Sequence, residues 1–176
     1  MKIKLPPLIH DFVGILRSDV GPEVLPHSSL LLRVSLGLFV LIEFGIKLAT
    51  HSVVGAAGIG ISAAALLILV AALAARLLGR DERLTQTLTA LAAAGAVVAF
   101  VNFFFRFLLE QGFAFVGEDL PAKELSSFLL FPIFLWNVVV YASIYRRAFA
   151  VGAVLSFALS LGYLLVLVFW IPYFFK

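Results

Sequence analysis

Glu43 and Lys47 stand four residues apart in an otherwise apolar stretch, and Asn102, Arg106 and Glu110 recur at the same spacing further along the chain. Residues four apart share one face of a helix, so each set presents its polar groups side by side. A charge placed in hydrocarbon costs about 2.5–3.5 kcal/mol on insertion scales. Such groups therefore neutralise one another or mark the path of an ion or substrate. The five residues are expected to meet as one polar cluster just below a membrane surface. A structural clasp of mutually neutralising charges is the first reading, an ion or substrate site the second, and a contact with a partner subunit the third. Asn137, five residues after Pro132, is the other polar residue placed mid-stretch. It is expected to hydrogen-bond across to a neighbouring helix rather than to act in catalysis.

Other chemistry is missing from the sequence. His10, His27 and His51 are isolated from one another, so neither paired haem ligation nor a metal site is expected. The chain has no cysteine, which excludes disulfides, thiolate metal sites and cysteine nucleophiles. No phosphate-cradling glycine loop and no serine-nucleophile motif occurs. The chain is read as non-enzymatic and without a cofactor.

The elements that must carry these residues are five apolar stretches, at 29–49, 54–75, 87–105, 127–145 and 148–171. Each runs 19 to 24 residues, and about 20 helical residues cross about 30 Å of hydrocarbon. Lipid offers no water to unpaired backbone groups, so runs of this kind are helices. Composition agrees: 63% of residues are hydrophobic and 13% charged, with a mean hydropathy of +1.13. The expected fold is all-α, a polytopic membrane protein with five transmembrane helices and an N-terminal amphipathic interfacial helix. The leader occupies residues 1–28 and the bundle 29–176. A net charge of +3, with its basic residues at helix ends, reports orientation rather than nucleic-acid binding.

Orientation follows from counting basic residues on each side. Lys2, Lys4, Arg17, Arg33, Arg76, Arg80, Arg83, Arg146 and Arg147 fall on one side; Lys47, Arg106, Lys123 and Lys176 fall on the other. The positive-inside rule then puts the N-terminus in the cytoplasm and the C-terminus outside. The outer loop is acidic through Glu110, Glu118, Asp119 and Glu124, without the regular spacing of a calcium loop. Within the leader, Leu8, Ile9, Phe12, Ile15 and Leu16 recur at helical spacing between Pro6-Pro7 and Gly21-Pro22. This segment is too short to span, so it is read as a helix on the cytoplasmic interface, with a leader packed against the bundle as the alternative.

Small residues crowd the second and third spans, from Gly55 to Ala75 and from Ala90 to Ala99. Small side chains let helix backbones approach in lipid, so these two spans are expected to form a close central hairpin. Phe100, Phe103, Phe104, Phe105, Phe107, Phe113 and Phe115 gather toward the outer end and are expected to face lipid or a partner helix. Tyr163, Trp170, Tyr173, Phe174 and Phe175 decorate the end of the last span and are expected to form an interfacial belt.

Two short stretches carry a family resemblance. Leu77-Leu78-Gly79-Arg80 followed by Thr85-Gln86-Thr87-Leu88, and Arg146-Arg147-Ala148-Phe149 leading into Val151-Gly152-Ala153, resemble the turns of bacterial Yip-domain membrane proteins. That resemblance implies five crossings with the N-terminus inside, and no defined enzymatic activity. The proline common early in the family's third span is replaced by the run at 92–96. The signature of the eukaryotic members is absent, so their binding of Rab-type GTPases is not carried over. The stretch Leu32-Arg33-Val34-Ser35-Leu36-Gly37-Leu38 is similar to the opening helix of DoxX-like proteins, which implies a component of a quinone-linked redox system.

The leading expectation is a small integral protein of a bacterial inner membrane, acting as an accessory, scaffold or assembly subunit. Its partners would be the lipid bilayer and other membrane subunits or further copies of itself, and no nucleic acid. A transporter or channel component gated by Glu43 and Arg106 is the alternative.

Overall fold

The structure, a computed structural model, describes residues 7–114 and 122–175; the side chains of Glu110 and of residues 112–114 and 122–127 are outside the description. Lys2, Lys4, Lys123, Lys176, Phe113, Phe115 and the acidic residues Glu110, Glu118, Asp119 and Glu124 therefore fall, wholly or in their side chains, outside the described residues. Six α-helices account for most of the rest: α1 (Pro7–Leu16), α2 (Ser29–Lys47), α3 (Val53–Leu77), α4 (Leu84–Ala114), α5 (Ala122–Phe149) and α6 (Ala153–Leu165). There is no strand among the described residues. Among the described residues, five stretches are long and apolar enough to cross a membrane: Ser29–Lys47, Val53–Leu77, Asp81–Leu109, Phe128–Phe149 and Ala153–Phe175. The protein is an all-α polytopic membrane protein.

Local chemistry sets the helix ends. Ser28 and Ser52 cap α2 and α3, their side chains accepting from the Leu31 and Gly55 amides at 3.2 Å. Gly79 closes α3 at φ +63°, the left-handed conformation that lets the Gly79 and Arg80 amides reach back to Arg76 and Ala75. Arg146 and Arg147 lie in the last turn of α5, not in the turn that the sequence pattern suggests. Buried Ala148 and Phe149 carry that helix three residues beyond Arg146, and cations at a helix C-terminus oppose its negative end. Past α6 the ladder loosens into a π turn (Val166–Trp170) and a 3₁₀ turn (Ile171–Phe175). Pro172 has no amide to donate there, and its ring crowds the preceding turn.

α4 is the centre of the bundle and packs against α1, α2, α3 and α5. Its Ala90, Ala92, Ala94 and Ala96 are all buried. α3 touches α4 but packs more broadly on α2, so the small-residue seam serves a different neighbour from the one expected. At Gly60 the two backbones come so close that a Cβ would sit 3.0 Å from the Val40 carbonyl oxygen. α6 packs on α5 from the other side.

The leader is held against the bundle. Ile15 is 1% exposed, with Phe12, Leu16 and Val20 packed around the same core. Trp136 Nε1 donates to the Leu16 carbonyl at 3.2 Å, Arg147 to Ser18 at 2.7 Å, and Gln86 to Leu25 at 2.6 Å.

Candidate functional site

The buried face of α2 consists of Ser35, Phe39 and Glu43, spaced four apart. Glu43 is 9% exposed, a carboxylate turned into the bundle rather than toward either surface. The groups within electrostatic range of it are Lys47, one turn on, and the phenols of Tyr141 on α5 and Tyr163 on α6. Among the described residues no ion pair within 4 Å joins Glu43 to Lys47. Lys47 is half-buried in the last turn of α2.

The tyrosines form the floor of this site. The rings of Tyr141 and Tyr163 stack with centroids 5.6 Å apart and planes inclined by 29°. Their hydroxyls interact with each other, and that of Tyr163 also makes a long 3.5 Å bond to the Ala63 carbonyl on α3. Gly95 on α4 makes the arrangement possible. A Cβ at that position would run into the Tyr141 hydroxyl and would sit 3.0 Å from the Phe39 ring. All five spanning helices thus contribute: Glu43, Ala63, Gly95, Tyr141 and Tyr163.

Tyr145 lies one turn beyond Tyr141 and is 0% exposed, its ring stacked on Phe149 at 6.0 Å. Its hydroxyl is buried without a hydrogen-bond partner. Nearby, α5 and α6 are joined by Ser160, whose hydroxyl donates to the Val138 carbonyl at 2.8 Å. Asn137, the residue expected to bridge helices, has its Oδ1 buried without a hydrogen-bond partner.

Of the other expected members, Arg106 is exposed and Asn102 half-buried toward the C-terminal end of α4, and the Glu110 side chain is outside the described residues. The structure does not bring Arg106 and Glu43 together: one is on an exposed flank, the other in the interior. Sequence spacing found the carboxylate but missed its tyrosine neighbours, and Tyr163, expected in the interfacial belt, is instead buried against Tyr141, where its ring finds a stacking partner. The available signal was Tyr141 and Tyr145 four apart in one span, with Tyr163 deep in the next. Among the described residues no cluster of three or more His, Asp or Glu is able to hold a metal.

A second feature is the C-terminal end of α4. Gly95 is level with Phe39, and the two helices run the same way, so residue 103 is level with Lys47, where α2 ends. The remaining 11 residues of α4, to Ala114, continue about 16 Å past that point. Residues 103–108 are all exposed, more than a full turn on which Phe103, Phe104, Phe105, Phe107 and Leu108 cover over half of the circumference and Arg106 the remaining side. Across from them Phe128, Leu129 and Phe131 of α5 are exposed as well.

Comparison of the chain with protein-family models, curated proteins and solved structures gives no match.

Proposed function

We propose that this chain is a non-enzymatic membrane subunit that serves as an accessory, scaffold or assembly component of a larger complex. The observation that carries the proposal is the aromatic end of α4 and α5. Residues 103–108 are uncovered on every side and extend past the end of α2. A helix end that exposes five large apolar side chains in six residues needs largely apolar surroundings, and a second membrane protein or a second copy supplies them beyond the reach of a 30 Å hydrocarbon layer. The interior supports the same reading, because Phe39, Tyr141, Tyr145 and Tyr163 fill it with large, fully buried side chains. On this proposal the membrane is the bacterial inner membrane, with the arginine-rich end in the cytoplasm and the C-terminus in the periplasm. That assignment rests on the positive-inside rule and the Yip-domain resemblance.

The test is purification in a mild detergent, with every co-eluting protein weighed and its stoichiometry determined. A partner in fixed ratio, or a stable oligomer, whose crosslinks map to positions 103–108 supports the proposal. A monomer with no crosslinks at those positions overturns it.

One observation favours a transport reading as the alternative. Glu43 sits in the interior with no ion pair to Lys47, beside two phenols able to pass a proton or bind a cation. Glu43→Gln keeps shape and hydrogen bonding while removing the charge. Lost flux with folded protein retained would establish transport, and a folded, unaltered protein would remove this reading.

A further inference from the structure

The cavity at the arginine-rich end lies apart from the Glu43 site and from the aromatic end of α4. It has a volume of about 510 Å³ and opens between the leader, the end of α5 and the start of α6. Ser18, Ser143, Arg146, Arg147, Ala153 and Ser156 are among the residues lining it, and no carboxylate is. Arg147 is anchored, donating to the Ser18 carbonyl at 2.7 Å, which fixes its guanidinium on the rim. Arg83 reaches the same turn, donating to the carbonyls of Arg147 and Ala148 at 3.3 Å, and adds a third positive charge. Arg146 is exposed and has no hydrogen-bond or ion-pair partner among the described residues, so its fork is available to a ligand. The first amides of α6, at Ala153 and beyond, have no acceptor in the preceding turn and no side-chain cap.

A planar guanidinium binds phosphate with two parallel hydrogen bonds. Basic pockets between spanning helices at the positive face of a membrane suit anionic headgroups. We infer that this cavity binds a phosphate group, with Arg146 as the principal contact and Arg147 as the fixed rim charge. In a membrane protein the abundant carrier of that chemistry is the headgroup of an anionic phospholipid; the other source is free phosphate.

The experiment uses the full chain in mixed micelles with phosphatidylglycerol, phosphatidylcholine or inorganic phosphate, and counts bound molecules by native mass spectrometry. Phosphatidylglycerol is expected to be retained in preference to phosphatidylcholine. Arg146→Gln should reduce that retention about fivefold, the factor expected for one arginine near a membrane surface. Arg146→Lys should restore most of it. Arg33→Gln, an exposed arginine on α2 outside the cavity, should leave it unchanged. Retention of inorganic phosphate by the wild type but not by Arg146→Gln identifies free phosphate as the ligand. Indifference to Arg146→Gln, equal loss with Arg33→Gln, or equal retention of the two lipids overturns the inference.

Discussion

Replacing Gly95 with alanine tests whether five helices really converge where Glu43 is buried. The new methyl would run into the Tyr141 hydroxyl and lie 3.0 and 3.2 Å from two atoms of the Phe39 ring. Neither neighbour moves easily: Tyr141 is stacked on Tyr163, and all three rings are almost wholly buried. Overpacking at such a point costs about 2 kcal/mol, while alanine in place of glycine within a helix returns about 1 kcal/mol. Gly95→Ala should therefore destabilise the protein by about 1 kcal/mol. Tyr141→Phe removes the atom that is struck first, leaving the Phe39 ring to give by a few tenths of an ångström. In that background Gly95→Ala should be close to neutral, a coupling of about 1 kcal/mol. The measurement is reversible unfolding by SDS in mixed micelles, followed by far-UV circular dichroism, for the wild type, both single variants and the double variant. An equal penalty in both backgrounds would refute the placement of the Tyr141 hydroxyl over α4, and the convergence of helices around Glu43 with it.

Three further outcomes follow from single residues, all read from the same unfolding curves. Tyr145→Phe deletes a buried hydroxyl that has no partner, so it should be neutral or stabilising by up to about 1 kcal/mol; a loss of similar size would mean that the hydroxyl is hydrogen-bonded. Ala150 sits at φ +53° in the turn after α5, a conformation that costs a side-chain-bearing residue about 1 kcal/mol. Ala150→Gly should stabilise by about that amount, and destabilisation would place the residue outside the left-handed region. Ser160→Ala removes the 2.8 Å bond to Val138 and should cost about 0.6 kcal/mol, the average for interhelical bonds in lipid. No change would mean that α5 and α6 are held by packing alone.

The sequence makes the spans legible because lipid imposes one rule on every residue of a crossing helix. Apolar runs of the right length therefore coincide with α2, α3, α4 and α5 to within a turn or so at most ends. Where the fit fails, the cause is local. Arg146 and Arg147 read as a turn because charges end apolar runs, yet Ala148 and Phe149 find a buried surface and keep α5 helical. The C-terminal part of α4 reads as the end of a span because Arg106 interrupts the apolar pattern. The backbone ladder has no reason to stop there, since no proline or glycine follows until Gly112.

Helix rotation was much less legible, and the site depends on it. Spacing alone puts Glu43 and Lys47 on one face of α2 but does not say what that face meets. The answer lies in residues with little chemistry of their own. Gly60 draws α3 against the Val40 backbone, and Gly95 opens α4 to the Phe39 ring and the Tyr141 hydroxyl. Together these contacts turn the Ser35, Phe39 and Glu43 stripe inward. Arg106, outside these close approaches, is exposed on α4. Depth in the bilayer is thus a property of the sequence, whereas facing is decided by which helix has the smallest residue opposite. A buried carboxylate in such a bundle is located by the glycines around it more surely than by the next charge along the chain.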